Sequence, residues 1–538
     1  MTFIKRILFM AVALSCATLM DAQSRGIQSI TQSFPIKLEA ESATYYKCEV
    51  ASDAKYSKGK ALRMTDEGAS IRFTVQIDQR DKYRIAVAGD GIGGEKQVNC
   101  EINGNSCSFK VNQYGEVEIG AFMLNQGSNN IVITPSWTWY HIDYISILGK
   151  ADNLNFDLSP SPVDAQATPA AQKLYQYLYE HFGENTISGM MLGDMSSYNG
   201  DVTQHDDLKA VYQASGKYPL LVGVDMMNAT GKSENYSYNI DYTRRMVSAA
   251  KDIYRRGGIP AFTWHWRDPS RSTDAFYTAD SQVGVSAALN RDGSWNTSSQ
   301  LYRYLIQDID AIADHFLELQ DEGMACIFRP LHESSGKWFW WGREGAQNFQ
   351  KLYHLLYHEM VDVKGVHNVI WVWNAGADDQ DWDPGCEYYD VVSADIYNPA
   401  FDYQSCYPTF DQLKQLTRGK KIIALSENGP IPDMDKEVED RAVWSWWMPW
   451  YETWNGGYVK QTSNEQWRKT MNDSRILTLG DNSTTWGNPA TGIELTKETT
   501  SPSLNKMYFD LSGRAVSLSK PSLRKGIYIT QDGKKIVK

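Results

Sequence analysis

Residues 329–342 read Arg-Pro-Leu-His-Glu-Ser-Ser-Gly-Lys-Trp-Phe-Trp-Trp-Gly, and residues 422–429 read Ile-Ile-Ala-Leu-Ser-Glu-Asn-Gly. In each run, a glutamate closes a short apolar stretch typical of a strand and is followed by a loop that contains glycine. The glutamates are Glu333 and Glu427. A (β/α)8 barrel keeps its reactive groups at the carboxyl ends of its strands. The two runs therefore predict such a barrel, with both glutamates at one mouth.

The sequence around these runs alternates between helix-like and strand-like segments from residue 169 to residue 484. Helical periodicity occurs at 170–181, 243–256, 299–320 and 347–363. Apolar segments with strand character lie at 186–192, 218–225, 259–264, 325–331, 369–373, 391–396, 422–425 and 444–450. Parallel strands need long helical crossovers, so eight such units predict an α/β fold, a (β/α)8 TIM barrel. A doubly wound sheet alternates in the same way, but no Gly-x-Gly-x-x-Gly follows the first strand, which disfavours its nucleotide-binding version.

The regions that flank the barrel have a different composition. Short alternating segments punctuated by Gly, Asn and Asp predict an all-β sandwich at 33–150. Residues 151–168 are rich in Pro, Ser, Asp and Ala and predict a linker. A second polar linker is predicted at 485–506, before a β-rich tail at 507–538. A chain of 538 residues is too long for one core, which agrees with several domains.

The amino terminus has the pattern of an export signal. Lys5 and Arg6 precede the apolar run 7–20, and cleavage is expected after Ala22, which makes 1–22 a signal peptide. Attachment of a lipid at Cys16 is the alternative. No other stretch reaches the roughly 18–20 apolar residues of a membrane span. We therefore expect a secreted or cell-surface protein.

Charge and cysteine content exclude several kinds of partner. The net charge of −12 gives no basic surface for nucleic acid or anionic membranes. No cysteines have the Cys-x-x-Cys spacing of a zinc site. Cys386 and Cys406 are candidates for a loop disulfide after export. The 18 Trp and 31 Tyr either pack in the large core or stack on the apolar faces of sugars.

Paired carboxyl groups next to aromatic rings are what cleavage of a glycosidic bond requires, because one carboxyl protonates the leaving oxygen while the other attacks the sugar or activates water. Apolar neighbours at 338–341 should raise the pKa of Glu333 and suit it to acid/base catalysis. Glu427 precedes a polar turn that favours the ionised form. A structural salt bridge or a helix cap is the alternative role for each glutamate.

These runs resemble glycoside hydrolase family 26, whose commonest members are endo-β-1,4-mannanases. The resemblance covers roughly 170–484 and includes 187–189, 223–225 and 263–266. It implies a retaining double displacement on a polysaccharide of the β-mannan class, without a catalytic cofactor. It assigns Glu333 as acid/base and Glu427 as nucleophile, and it implies a substrate site formed by His265, His332, Trp338, Tyr397 and Trp450. Two other functions stay open: a mixed-linkage β-glucanase of the same family and a catalytically silent glycan-binding protein.

The flanking regions carry their own resemblances. Leu-Glu-Ala-Glu at 38–41 and Ile-Asp-Tyr-Ile at 142–145 are similar to carbohydrate-binding modules of family 35. That likeness implies a structural Ca²⁺ held by Glu39, Glu41 and Asp143, an oxygen ligand set that suits a hard cation. Trp137, Trp139 and Tyr140 are the candidate rings of this module for stacking on a sugar. A sandwich that only braces the barrel is the alternative. The tail at 507–538 resembles a type IX secretion signal, which implies that machinery as a partner.

Overall fold

The structure is a computed structural model that describes residues 32–136, 138–151, 154–376, 379–451 and 458–480, together with the backbone of four short strands after residue 507. The expected signal peptide with Cys16, Trp137 and the linker at 485–506 lie outside the described residues.

Two antiparallel sheets form the amino-terminal domain. The first has the order β3-β4-β11-β6-β9, with β1 also paired to β11, and the second has the order β2-β5-β10-β7-β8. The strands are β1 Ile36–Glu39, β2 Thr44–Tyr46, β3 Glu49–Ser52, β4 Lys60–Met64, β5 Ser70–Ile77, β6 Asp81–Gly91, β7 Lys96–Ile102, β8 Asn105–Val111, β9 Gly115–Leu124, β10 Gly127–Pro135 and β11 Tyr140–Lys150.

The sequence of the sandwich explains its two faces. In β5, every second residue is buried, so Ile71, Phe73, Val75 and Ile77 face the core while the residues between them face outward. Successive side chains of a strand point to opposite faces, and a half-buried sheet needs this alternation. The prediction of an all-β sandwich is confirmed.

Nine parallel strands form the second domain. They are β12 Thr186–Met191, β13 Leu221–Asp225, β14 Ile259–Thr263, β15 Cys326–Arg329, β16 Val369–Asn374, β17 Val391–Ile396, β18 Ile422–Asn428, β19 Trp446–Pro449 and β20 Ile476–Leu477. Strands β12–β19 pair in sequence, and β12 pairs with both β13 and β19, which closes the barrel. The short β20 adds to β12. The (β/α)8 prediction is confirmed.

Helices alternate with these strands. They are α1 Pro169–His181, α2 Asp206–Ser215, α3 Ser237–Arg255, α4 Gln300–Asp321, α5 Ala346–His358, α6 Tyr407–Leu416, α7 Met434–Glu439 and α8 Asn464–Met471. Their starts follow the usual capping chemistry: Thr168 Oγ1 accepts from Ala171 N ahead of α1, and Ser299 Oγ accepts from Tyr302 N ahead of α4. The helix predicted at 347–363 changes at His358 into a π-helical turn, Glu359–Val363.

The segment between the domains packs against the barrel. Val163 N donates to Asp390 Oδ1 at 2.7 Å, and the Tyr175 hydroxyl donates to the carbonyl of Ser159 at 2.8 Å. The predicted linker therefore has fixed contacts along its path, which a Pro- and Ser-rich composition alone did not indicate.

The sandwich also contacts helix α6 directly. Met123 N in β9 donates to the hydroxyl of Tyr407 at 2.8 Å, and Lys82 Nζ in β6 pairs with Asp411 Oδ2 at 2.7 Å. The side chains of Lys82 and Asp411 are largely buried. A buried ion pair requires well-defined geometry, so these contacts hold the two domains in one arrangement.

The tail has backbone strands at Tyr508–Asp510, Ala515–Val516, Ile527–Thr530 and Lys535–Val537, in one antiparallel sheet. In the part of the chain that the structure describes, no helix combines the length and the apolar composition needed to cross a membrane.

Candidate active site

Glu333 lies on a strained turn just past the fourth barrel strand. Strand β15 ends at Arg329, so Glu333 does not close it as the sequence suggested. Leu331 and Glu333 both have φ near 52°, a left-handed conformation that residues with a side chain adopt at a cost. Glu333 N donates to Asn374 Oδ1 at the end of β16, at 2.8 Å. The turn therefore aims the Glu333 carboxylate across the mouth of the barrel.

The loop after Glu333 places an indole against its carboxylate. Trp338 Nε1 donates to Glu333 Oε2 at 2.8 Å. A Cβ on Gly336 would lie 1.9 Å from the Trp338 ring, and a Cβ on Gly342 would lie 1.9 Å from the carbonyl oxygen of Ser334. Both glycines are thus needed for close packing of this loop, which explains why they stand on either side of the aromatic run.

Glu427 lies inside β18, which continues to Asn428, three residues beyond the predicted end at Leu425. Glu427 is 4 % exposed and has two donors. The hydroxyl of Tyr397 donates to Glu427 Oε2 at 2.6 Å, and Arg329 Nη2 donates to Glu427 Oε1. The carboxylate accepts both bonds, one of them from a cation, and is held in a single orientation.

Arg329 connects Glu427 to a third acid. Its Nη1 donates to Asp395 Oδ2 at 2.8 Å, and Asp395 Oδ1 accepts from Asn374 Nδ2 at 2.9 Å. Burial lowers the pKa of the Arg329 guanidinium, but Asp395 and Glu427 outweigh it and raise that pKa. Arg329 is therefore a fixed positive charge between two carboxyl groups.

The two glutamates face each other at short range. One carboxylate oxygen of each of Glu333, Asp395 and Glu427 lies within 4.8 Å of the others. Burial raises the pKa of the Glu333 carboxyl, and the negative charge of Glu427 raises it further. A raised pKa of Glu333 is what its aromatic neighbours led us to expect. The site can thus hold one carboxyl protonated beside one that is ionised.

A histidine pair forms the next wall of the site. His265 Nδ1 lies 2.6 Å from Asp225 Oδ2, and His265 Nε2 lies 3.2 Å from His332 Nε2. Burial lowers the pKa of His265, but Asp225 outweighs it and raises that pKa. Burial and the charges of Arg329 and His265 lower the pKa of His332 well below its ordinary value. His265 is therefore the proton donor of the pair and His332 the neutral acceptor.

Aromatic rings line the opening. Trp338 is 46 % exposed, whereas the ring of Trp450 is largely buried and lies 5.8 Å from the ring of His265. The ring of Tyr277 stacks on Phe339, with 5.2 Å between the ring centres. Burial, and to a lesser extent the charges of Glu333 and Glu427, raise the pKa of the Tyr277 hydroxyl. Exposed indole and phenol faces are suited to the apolar faces of sugar rings.

A cavity of about 360 Å³ continues the site beyond the histidines. Its lining combines polar groups with rings, and Arg267 Nη2 donates to Asn228 Oδ1 within it. The lining residues are Leu192, Gly193, Asp194, Asp225, Met227, Asn228, Tyr238, Tyr242, Arg267 and Tyr451. Asp225 lines this cavity and also binds His265, so the cavity adjoins the site and adds room for a further part of a ligand.

The structure brings every residue of the predicted site together. His265, His332, Trp338, Tyr397 and Trp450 are linked to one glutamate or to each other by the contacts above. Sequence reasoning missed five further residues: Asp225, Tyr277, Arg329, Asn374 and Asp395. Arg329 and Asp395 had a readable signal, since a charge within an apolar strand requires a buried partner.

The carboxyl cluster of the barrel has the spacing of a cation site, but its charge is already balanced. The guanidinium of Arg329 lies against Asp395 and Glu427. A divalent ion would have to compete with this fixed cation. The cluster therefore fits acid/base and nucleophilic chemistry better than metal binding.

The carboxylates expected to hold Ca²⁺ in the sandwich have free oxygens. Glu39 Oε2, Glu41 Oε2 and Asp143 Oδ1 are buried and have no hydrogen-bond partner. Asp143 Oδ2 accepts from Ser57 N and from the Tyr114 hydroxyl, so the second oxygen is oriented. The donor set fits a hard cation. The three carboxylates do not gather within 4.8 Å, however, so they would have to draw together around the ion.

The aromatic residues at the junction of β10 and β11 differ in exposure. Trp139 is 50 % exposed, and the guanidinium of Arg63 lies 5.5 Å from its ring centre. Tyr140, which the sequence suggested as a second ring for sugar stacking, is fully buried in the sandwich core. A ring with no exposed face cannot stack on a sugar, so that suggestion is wrong.

Comparison with known proteins agrees with this geometry. Residues 163–481 match the model of glycosyl hydrolase family 26, and residues 36–149 match the model of carbohydrate binding module family 35. The first match covers more than half of the chain and contains both glutamates with all the barrel residues described above.

Similar proteins extend over both domains. The chain is 30% identical to a mannan endo-1,4-beta-mannosidase of Thermothelomyces thermophilus over 462 residues, which are 80% of this chain and 90% of that protein. It is 31% identical over 432 residues to mannan endo-1,4-beta-mannosidase B of a Piromyces species, covering 79% and 72% of the two chains. The crystal structure of a Podospora anserina GH26-CBM35 beta-(1,4)-mannanase matches with a TM-score of 0.56 at 27% identity, covering 85% of this chain and 100% of that one. The chain therefore belongs to glycosyl hydrolase family 26, and it is a glycoside hydrolase with a family 35 module at its amino-terminal side.

Proposed function

We propose that this enzyme is a secreted endo-β-1,4-mannanase that hydrolyses internal linkages of mannan, glucomannan or galactomannan. The observation that carries the proposal is the pair of glutamates, whose carboxylate oxygens lie within 4.8 Å of each other beside the exposed ring of Trp338. The relatives named above are mannan endo-1,4-beta-mannosidases, which supports the choice of polymer.

The proposed reaction is a retaining double displacement. Carboxyl groups about 5 Å apart suit direct attack on the sugar, whereas inverting enzymes need roughly 6.5–9.5 Å to admit a water. Glu427, oriented by Tyr397 and Arg329, attacks the anomeric carbon. Glu333, protonated at the start because its pKa is raised, gives its proton to the leaving oxygen. It then takes a proton from the water that hydrolyses the glycosyl-enzyme.

The remaining site residues hold the sugar and its reacting groups. Asp225 orients the His265 imidazole and raises its pKa, so that His265 can hydrogen-bond a sugar hydroxyl next to His332. Trp338 offers an exposed ring face beside Glu333, and Trp450, which packs against His265, is the second ring of the proposed site. These roles place the scissile bond between Glu333 and Glu427.

One digest tests the polymer. Glucomannan, galactomannan and mixed-linkage barley glucan are treated with the enzyme, and the products are sized by chromatography. We expect short manno-oligosaccharides from the first two polymers. Cleavage of barley glucan without cleavage of glucomannan would identify a glucanase instead, and binding without new reducing ends would identify a silent glycan-binding protein.

The Trp338→Phe substitution is expected to move the alkaline limb of the pH profile of kcat/KM to higher pH. The indole N–H bond lowers the pKa of Glu333, so its loss raises that pKa further. Because Glu333 must be protonated to act as the acid, activity is lost as the pH rises through this value. The acid limb, which should not move, serves as the internal control. A downward move of the alkaline limb contradicts the assignment.

We also propose a structural Ca²⁺ held by Glu39, Glu41 and Asp143. Addition of Ca²⁺ is expected to raise the unfolding temperature, since a 100-fold excess over Kd stabilises by about 2.7 kcal/mol. Differential scanning calorimetry with Ca²⁺ or a chelator measures the shift. The unfolding temperature of the Asp143→Asn variant should not rise when Ca²⁺ is added. A rise equal to that of the wild type would rule out this site.

Export is the last part of the proposal. We propose cleavage after Ala22 and a type IX secretion role for residues 507–538, on the basis of the residue patterns at both ends. Mass spectrometry of the enzyme from culture medium should show Gln23 as the first residue. Retention of full-length protein inside the cell would contradict export.

A further inference from the structure

Two cysteines of the sandwich face each other across a hairpin. Cys100 in β7 and Cys107 in β8 are direct partners in the antiparallel register. The strands are joined by the two-residue turn Asn103-Gly104, whose φ values of 50° and 90° are typical of a tight hairpin. Directly opposed residues point to the same face, so both side chains lie on the core side of this sheet.

We propose that Cys100 and Cys107 form a cross-strand disulfide once the enzyme reaches an oxidising compartment. Opposed residues of an antiparallel pair have Cα atoms about 4.5–5.5 Å apart, within the 4.4–6.8 Å that a disulfide spans. The thiols are also near enough for Cys107 to raise the pKa of the Cys100 thiol. The register therefore already brings together the two residues that the bond would join. The proposal rests on the export proposed above, because disulfides persist outside the cytosol.

The surroundings decide when the bond can form. Cys100 is 3 % exposed, while Cys107 is half-buried. The contact with Cys107 and burial raise the pKa of the Cys100 thiol well above its ordinary value. Since the thiolate is the reactive form, oxidation is favoured in the nascent hairpin, before the sandwich core closes. The finished bond is then shielded from reductants by that core.

The chemistry is thiol–disulfide exchange with a disulfide-bearing oxidant such as glutathione disulfide or a protein disulfide. The Cys107 thiolate attacks the oxidant and releases one thiol, which leaves a mixed disulfide. The Cys100 thiolate then attacks the sulfur of Cys107 and releases the second thiol. The two cysteines lose two protons and two electrons, and the oxidant is reduced to two thiols.

The other described cysteines lack such a partner. In the described strand pairs, Cys100 and Cys107 are the only cysteines in register with each other. Cys326 lies within barrel strand β15, and Cys386 is exposed. The Cys406 thiol is 3.2 Å from Asn398 Nδ2. The sequence-based pairing of Cys386 with Cys406 thus has no contact to support it.

The bond would reinforce an edge that touches the barrel. Strand β8 is the last strand of its sheet and has only β7 as a neighbour. The turn that joins them approaches the barrel, where a Cβ on Gly104 would lie 3.7 Å from Gln404 Nε2. Gln404 belongs to the loop that follows β17 and Tyr397. A disulfide across β7 and β8 would therefore hold this edge strand, and its contact with the barrel loop, in place.

Thiol titration and peptide mapping test the proposal on the chain from Gln23 onward, which has six cysteines. After the reduced, unfolded enzyme has been refolded in a glutathione redox buffer and denatured again, it should show four titratable thiols. Both cysteines lie in the tryptic peptide 97–110, which should be 2 Da lighter than its reduced form, and further cleavage after Glu101 should give two peptides that stay linked until they are reduced. Six free thiols, or a bond between other cysteines, would overturn it.

A stability measurement gives an independent check. Refolding the wild-type enzyme in a reductant, instead of in a glutathione redox buffer, should lower its unfolding temperature by roughly 5–10 °C. The same treatment should not affect a Cys100→Ala/Cys107→Ala double variant, whereas the control variant Cys386→Ala should respond as the wild type does. Mannan hydrolysis is assayed in parallel. Lost activity with an intact bond would count against the proposed function alone, and no response to reduction in the wild type would count against the disulfide alone.

Discussion

Replacement of Glu427 by alanine is expected to lower kcat on mannan by roughly 10⁴-fold or more, while oligosaccharide binding is retained. The proposed covalent intermediate cannot form without this carboxylate. The residues that would contact the sugar, among them Trp338 and His265, do not depend on Glu427 for their own hydrogen bonds. Steady-state kinetics and calorimetric titration with mannohexaose measure the two quantities separately.

The control for this variant concerns the buried charge of Arg329. Both Glu427→Ala and Glu427→Gln remove one of the two acids that face the guanidinium, while Asp395 still pairs with it. Glu427→Gln leaves no cavity and keeps an oxygen acceptor for Tyr397 or Arg329, so it should fold while losing the same activity. Near-normal turnover in a folded Glu427→Gln enzyme would refute Glu427 as the nucleophile.

Replacement of Glu333 by alanine is expected to reduce kcat on the polymer by about 10²–10⁴-fold, the usual contribution of a general acid. With an aryl mannoside that has a good leaving group, the substitution should slow the first step much less, because that leaving group needs no proton. The glycosyl-enzyme should then accumulate, since no base remains to activate water. A burst of the aryl alcohol in rapid-mixing experiments measures this accumulation.

Azide provides the control for the Glu333→Ala variant. This anion attacks the intermediate without a general base, so it should restore turnover and release a β-mannosyl azide that NMR identifies. The configuration follows from two successive inversions at the anomeric carbon. An α-azide, or no rescue despite a folded enzyme, would contradict a retaining mechanism with Glu333 as acid/base.

The order of the barrel elements could be predicted because barrel strands are buried on both faces and appear in the sequence as continuous apolar runs. The strand at 391–396 was predicted with its observed bounds. The ends of the strands next to the site differ from the predicted ends. Glu427 lies within β18, and Glu333 lies four residues past β15 on a turn with positive φ. Such a conformation in a glutamate has no pattern in the sequence, because it depends on the packing of the loop.

The sequence by itself determined the kinds of residue at the site: two glutamates that follow apolar runs, the aromatic run at 338–341, and the histidines at 265 and 332. These features are local and depend on strand pattern and residue type. Only the tertiary structure decided which charges meet. Arg329 reaches Glu427 and Asp395, and Asp225 reaches His265, across strands that are far apart in the chain. Those contacts exist because the barrel closes, and closure brings the carboxyl ends of all eight strands to one mouth.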